Sequence, residues 1–185
     1  MPVFKDKDAF HGSRELFDGG KSSTWKNIAI KLIDSITSSL APAISTPSDA
    51  LGTICSQLKI RDSDEIWELG CGDARVISYC AKKHPEAKFV GVENGIIMFA
   101  KARWHTKHQN NVQIVFGNIR STRPKTATKM YLYLLPTALQ IIKPTIPKGC
   151  MVVSLEFKLP KTKPSASIKL PKTFKFAHRL YIYKF

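Results

Sequence analysis

Acidic residues are scarce towards the end of this chain. Of its 185 residues 29 are Lys or Arg and 14 are Asp or Glu, a formal net charge of +15. Residues 1–60 hold 7 basic and 6 acidic side chains, and residues 61–110 hold 8 and 7. Residues 111–185 hold 14 basic residues and one acid, Glu156. Long hydrophobic runs are also missing. A helix that crosses a bilayer needs about 18 or more consecutive apolar residues, and no such run exists. The opening Met1-Pro-Val-Phe-Lys-Asp-Lys-Asp lacks the apolar stretch of a secretory signal. The four cysteines, at 55, 71, 80 and 150, form no C-x-x-C pair, a usage expected of a reduced, cytoplasmic protein rather than a disulfide framework. The phosphate-binding G-x-x-x-x-G-K-[ST] is absent too, which removes P-loop chemistry.

Apolar residues make up 43% of the chain, enough for one domain with a full core. Residues 1–24 are polar and read as an arm. From Trp25 to Leu40 apolar residues recur at Trp25, Ile28, Ala29, Leu32, Ile33, Ile36 and Leu40, the rhythm of an amphipathic helix. Thr46 or Ser48 is placed to cap a second helix through Leu58. Residues 25–60 are therefore expected to be helical, and residues 61–185 to form the main domain. There, short apolar strands alternate with helical patterns. Strands are expected at 65–69, 88–92, 112–116, 130–135 and 150–157, and helices at 74–83, 95–107 and 137–142. His84-Pro85 closes the first of these helices, because the residue before proline avoids the helical region. Segments 165–170 and 179–185 alternate as the arms of a hairpin. Repeated β-α-β units imply a mostly parallel sheet covered on both faces.

The informative stretch is Trp67-Glu-Leu-Gly-Cys-Gly-Asp-Ala-Arg. It is glycine-rich where a strand gives way to a helix. Gly70 and Gly72 permit a tight turn and close approach of a ligand to the backbone. A carboxylate, Glu93, ends the next strand, 21 residues beyond Gly72. That placement suits a group accepting both hydroxyls of an adenosine ribose. Ala74 and Arg75 follow where a third glycine would stand, so the phosphate-cradling G-x-G-x-x-G of dinucleotide-binding folds is incomplete. Cys71 reads as a small buried residue rather than a nucleophile, and Trp104, His105 and His108 as the end of a helix packed on the sheet. Cys80 and His84 are four residues apart on a helix, without a third metal ligand placed nearby.

Glu68-Leu-Gly-Cys-Gly-Asp-Ala-Arg, Gly91-Val-Glu-Asn and Phe116-Gly-Asn resemble, in order and spacing, the cofactor motifs of class I S-adenosylmethionine-dependent methyltransferases. The Gly-Asp-x-Arg ending of the first motif is similar to small protein-lysine N-methyltransferases of archaeal and mitochondrial type. So are Ser45-Thr-Pro, Tyr131-Leu-Tyr-Leu, Val152-Val-Ser-Leu-Glu-Phe and Arg179-Leu-Tyr-Ile-Tyr-Lys. The resemblance implies an α/β, Rossmann-like class I methyltransferase fold: a seven-stranded, mostly parallel sheet with a C-terminal antiparallel β-hairpin. It implies S-adenosyl-L-methionine as cofactor. Glu68, Gly70, Cys71, Gly72 and Asp73 would serve its methionine end, Glu93 and Asn94 its ribose, and Asn118 and Ile119 its adenine, with Thr46 also at the site. Asn118 stands where the superfamily usually has Asp; an amide still serves the adenine edge, since it both donates and accepts.

Tyr133, towards the carboxyl end of the fourth strand segment, and Glu156, at the end of the fifth, are the candidate catalytic residues, one lining the entry of a lysine amine and the other anchoring its ammonium. The implied partner is a protein with an accessible lysine. The alternatives are an RNA methyltransferase, one acting on a small or lipid amine, and a cofactor-binding scaffold without catalysis. Methylation of base amines usually needs an Asp/Asn-Pro-Pro-aromatic run after strand four, and here the run is Leu134-Leu-Pro-Thr. The basic segment 111–185 suits an anionic partner (nucleic acid, acidic protein or lipid headgroups) or serves as a solvated face.

Overall fold

The computed structural model describes residues 45–170 and 179–185. The arm over residues 1–24 and the helix expected at 25–40 lie outside the described residues. A 3₁₀ turn at Ser48–Ala50 leads into α1 (Leu51–Leu58). There follow β1 (Glu65–Leu69), α2 (Arg75–Lys83), β2 (Lys88–Glu93), α3 (Ile96–His105) and β3 (Val112–Phe116). Next come β4 (Lys129–Leu132), α4 (Pro136–Ile142), β5 (Met151–Leu155), β6 (Ala166–Lys169) and β7 (Arg179–Lys184). Among the described residues, no helix is long and apolar enough to cross a membrane.

The seven strands form one sheet in the order β3-β2-β1-β4-β5-β7-β6. Strands β1 to β5 pair in parallel, and β7 runs antiparallel between β5 and β6. The sheet therefore has the expected seven strands and terminal antiparallel hairpin. Because side chains alternate across a strand, it separates two apolar layers. Ile66, Phe89, Tyr131, Val153, Leu155, Leu180 and Ile182 face a layer shared with α1, α2 and α3. Leu69, Val92, Met130, Leu132, Val152 and Tyr183 face the other, shared with α4. Helix α1 belongs to the first layer through Ile54 and Leu58, which have no exposed surface; burial of that kind contributes roughly 1.5–3 kcal/mol per side chain.

Several boundaries moved. No side chain caps the turn before α1; the Thr46 hydroxyl hydrogen-bonds the Tyr131 hydroxyl at 3.0 Å instead. Strand β4 stops at Leu132, so Tyr133 lies in the loop beyond it. Trp104 does not pack on the sheet: it is 67% exposed, with Lys107 Nζ 3.6 Å from its ring centroid. The end of this helix was expected to pack on the sheet, but α3 buries only Ala102.

The chain leaves β3 at one edge of the sheet and enters β4 beside β1. That reversal opens a crevice at the carboxyl ends of β1 and β4, where open α/β sheets take their ligands.

Candidate functional site

The turn after β1 is built by backbone. Gly70 and Cys71 both donate their N–H groups to the Val92 carbonyl, at 2.8 and 3.0 Å. Gly70 and Gly72 have φ of +74° and +55°, in the left-handed region that glycine enters without steric cost. Gly70 is also closely approached, since an added Cβ would lie 3.0 Å from Leu134 Cδ2. At Gly72 an added Cβ would meet nothing within 4 Å, so the backbone there faces open space. Ala74 takes the same left-handed conformation, φ +58°, and starts α2.

Glu93 faces this turn. Its Oε2 accepts from the Gly72 N–H at 2.8 Å and its Oε1 from the Gly95 N–H at 2.7 Å. A carboxylate offers about four lone-pair sites, so both oxygens keep capacity for a further donor each. The two backbone donors fix the plane of the carboxylate before any ligand arrives. Gly91, one turn of the pleat earlier, admits the Cys71 side chain: a Cβ on it would lie 2.9 Å from Cys71 Sγ and from Ile114 Cδ1. Burial first, then the charges of Glu68 and Glu93, push the Cys71 thiol far above its ordinary range. It is a packing residue, not a nucleophile.

Glu68 lies beneath the turn. It is buried, and Oε2 has no hydrogen-bond partner. Burial, followed by the neighbouring Asp73 and Glu93 charges, raises its carboxyl well above the usual range, with the Ile77 N–H opposing. Such surroundings disfavour the charged carboxylate unless a cation lies beside it. Asp73 is engaged elsewhere: Arg75 holds it through Nε at 2.9 Å and Nη2 at 2.6 Å, and this pairing lowers its carboxyl below the ordinary value. Arg75 Nη1 also reaches the Thr46 carbonyl at 3.2 Å, and His105 Nδ1 donates to the Asp73 carbonyl at 2.9 Å. An Asp73–Arg75–Thr46–Tyr131 chain thus ties the loop before α1 to the glycine turn. Sequence reasoning had missed Arg75 as its hub. Its signals were the Gly-Asp-x-Arg ending of the motif and a cation in the first turn of a helix, a position that favours acids.

The structure gathers the candidate cofactor residues at the carboxyl edge of the sheet. Asn94 is half-buried immediately after Glu93. Asn118 is exposed beyond β3, with Oδ1 accepting from the Arg120 N–H at 2.9 Å, and Ile119 packs against the second apolar layer. Phe99 and Phe116 make an edge-on ring pair at 5.4 Å between α3 and β3. Tyr133 and Glu156 leave the adjacent ends of β4 and β5, both half-buried. Burial and then the Glu156 charge raise the Tyr133 hydroxyl above its ordinary value, which places the two groups within electrostatic reach. Glu156 itself sits at φ +63°, an uncommon conformation for a non-glycine residue, and its N–H is held by the Arg179 carbonyl at 2.8 Å.

An open backbone at Gly72, a pre-oriented diol acceptor at Glu93 and an orphaned buried carboxylate oxygen at Glu68 fit a cationic adenosyl ligand. Comparison with known proteins agrees. The family model described as the ANTKMT methyltransferase domain matches residues 68–166, more than half of the chain. A protein-lysine N-methyltransferase from Saccharolobus islandicus (strain REY15A) is 29% identical over 149 residues, spanning 77% of this chain and 92% of that protein. Among solved structures, an RNA methyltransferase from Salinibacter ruber in complex with S-adenosyl-L-homocysteine is 25% identical with a TM-score of 0.69, covering 76% of this chain and 93% of that one. A S-adenosylmethionine-dependent methyltransferase from Thiobacillus denitrificans, also bound to S-adenosyl-L-homocysteine, shares the fold at 13% identity and a TM-score of 0.52, over 71% of this chain and 58% of its own. The chain belongs to the ANTKMT methyltransferase domain family and is a class I, S-adenosylmethionine-dependent methyltransferase.

Proposed function

We propose that this methyltransferase modifies a lysine side chain of a protein. The observation that carries the reading is the 29% identity to a protein-lysine N-methyltransferase over 77% of this chain and 92% of that protein, beside which Tyr133 and Glu156 follow the adjacent carboxyl ends of β4 and β5. In this reading Gly70, Cys71, Gly72 and Asp73 hold the methionine end of the cofactor, with Glu68 supplying charge from beneath. Glu93 and Asn94 take the ribose, Asn118 and Ile119 the adenine edge, and Thr46 steadies the turn through Arg75. The cofactor, when bound, supplies a methyl group on a sulfonium, so alignment of the acceptor is most of what the protein contributes.

A lysine amine has an ordinary pKa of about 10.4 and must lose a proton to attack. Glu156 accepts hydrogen bonds from the incoming ammonium and orients Nζ. The Tyr133 ring and the buried Leu134 exclude water from it, which favours the neutral amine. Beyond β4 the segment Leu134-Leu135-Pro136-Thr137 offers no polar residue before the proline and no aromatic after it, so it lacks the groups that grip a planar base amine.

Two observations favour a second reading, RNA as acceptor: the Salinibacter ruber relative is named an RNA methyltransferase, and residues 111–185 are strongly basic. Incubating the enzyme with methyl-labelled cofactor and cell lysate, then treating with protease or nuclease, separates them. The lysine reading expects protease-sensitive label that hydrolyses to methyllysine. Label that survives protease and disappears with nuclease would overturn it.

A further inference from the structure

The opposite edge of the sheet carries a basic cleft. Helix α1 ends at Leu58, short of the amino-terminal ends of β4 and β5, and leaves a cleft of about 530 Å³. Gln57, Lys59, Arg61, Lys129, Ser165 and Lys184 line it, over an apolar floor that includes Met151. Its arrangement follows from strand register. Lys129 pairs with Met151, and Met151 with Lys184, so these three side chains form one row across neighbouring strands. They share the face of Tyr131, Val153 and Ile182. Two lysines two strands apart, about 10 Å, thus point to one side with a methionine between them.

The charges are unbalanced. Lys129 is buried and held by Asp64, Nζ to Oδ2 3.4 Å, and Asp64 also accepts from the Arg61 N–H and the Thr128 hydroxyl. Asp62 is exposed beside Arg61. Among the described residues no carboxylate lies within ion-pair distance of Lys59, Arg61 or Lys184. Lys59 holds φ +48° at the C-terminus of α1, where glycine is the default. Three exposed cations therefore line a recess whose one ion pair is Lys129 with Asp64. A solvated face does not require a recess, an aligned row or a buried lysine.

We infer that this cleft is an anion site for a compact phosphate group, on the opposite edge of the sheet from the methyl-transfer centre. Three uncompensated positive charges match a dianionic or trianionic phosphate, and amines with a guanidinium supply short charge-assisted hydrogen bonds to its oxygens. Gln57 adds a neutral donor at the wall. The apolar floor accommodates the carbon skeleton of an organic phosphate. A phosphorylated small molecule and a phospholipid headgroup share this chemistry.

The test uses the full chain with inorganic pyrophosphate as probe, by calorimetry at physiological salt. One saturable site is expected. Lys59→Ala and Lys184→Ala should each weaken it about tenfold, the loss of one charged hydrogen bond, while a Lys82→Ala/Lys101→Ala control leaves it unchanged. Methyl transfer should persist in all variants, which separates failure of this site from failure of the proposed lysine chemistry. Sedimentation with phosphatidylcholine vesicles, with and without phosphatidylglycerol, assigns the source. Binding to the anionic vesicles that is lost in the Lys59→Ala/Lys184→Ala double variant makes it a headgroup; pyrophosphate binding without vesicle binding makes it a soluble phosphate. Absence of pyrophosphate binding, or equal weakening by the control, would overturn the inference.

Discussion

At the scale of single residues, the site is a set of carboxylates kept in different states by their surroundings. Glu93 is fixed by two backbone donors, Asp73 is neutralised by Arg75, and Glu68 is buried with one oxygen unpartnered. The last has a thermodynamic consequence. A carboxyl raised on folding keeps its proton longer in the folded state than in the unfolded one. Stability is therefore present below the ordinary carboxylate pKa and declines as pH rises from there through the raised value. Glu68→Gln, which keeps shape and removes the titration, should flatten that decline and raise the melting temperature at neutral pH. Thermal denaturation across pH checks it; an unchanged profile would mean that Glu68 is not protonated in the ligand-free fold. The burial of Glu68 was not legible in the sequence, where it read as a direct ligand contact. It lies on the Ile66 face of a strand that is covered on both sides, and that cover comes from tertiary neighbours.

At the scale of elements, the β1 turn and the β2 strand work as one part. The Val92 carbonyl receives two N–H groups from the turn, Glu93 receives a third, and Gly91 leaves room for Cys71. Gly91→Ala would set a methyl 2.9 Å from two side-chain atoms, and overpacking of that kind costs about 1–3 kcal/mol. A melting temperature equal to the parent's would show that the strand can shift to accept it. The order of strands and helices was readable from apolar periodicity and glycine punctuation. Element ends were not: β4 stops at Leu132, and Trp104 is left to solvent by the last turn of α3. Those outcomes depend on tertiary neighbours that a local pattern does not contain.

At the scale of the molecule, the parallel sheet separates two edges with different chemistry. The carboxyl edge gathers Glu68, Asp73, Glu93 and Glu156, nearly every acid that bears on function. The opposite edge presents Lys59, Arg61, Lys129 and Lys184. The charge excess of residues 111–185 was visible from composition. Its focus beside α1 was not, because Lys59 and Arg61 come from a part of the chain with near-balanced charge. The motif residues were legible because a glycine turn and a carboxylate at the next strand end are local features with fixed spacing.

The central claim is that the turn at Gly70–Gly72 and the Glu93 carboxylate form one adenosyl-binding unit. Calorimetric titration with S-adenosyl-L-homocysteine, comparing the parent with Glu93→Ala, tests it most directly. Removing a charged acceptor of two hydroxyls should weaken binding by roughly one to two orders of magnitude, with circular dichroism confirming that the variant is folded. An affinity unchanged in a folded Glu93→Ala protein would contradict the account.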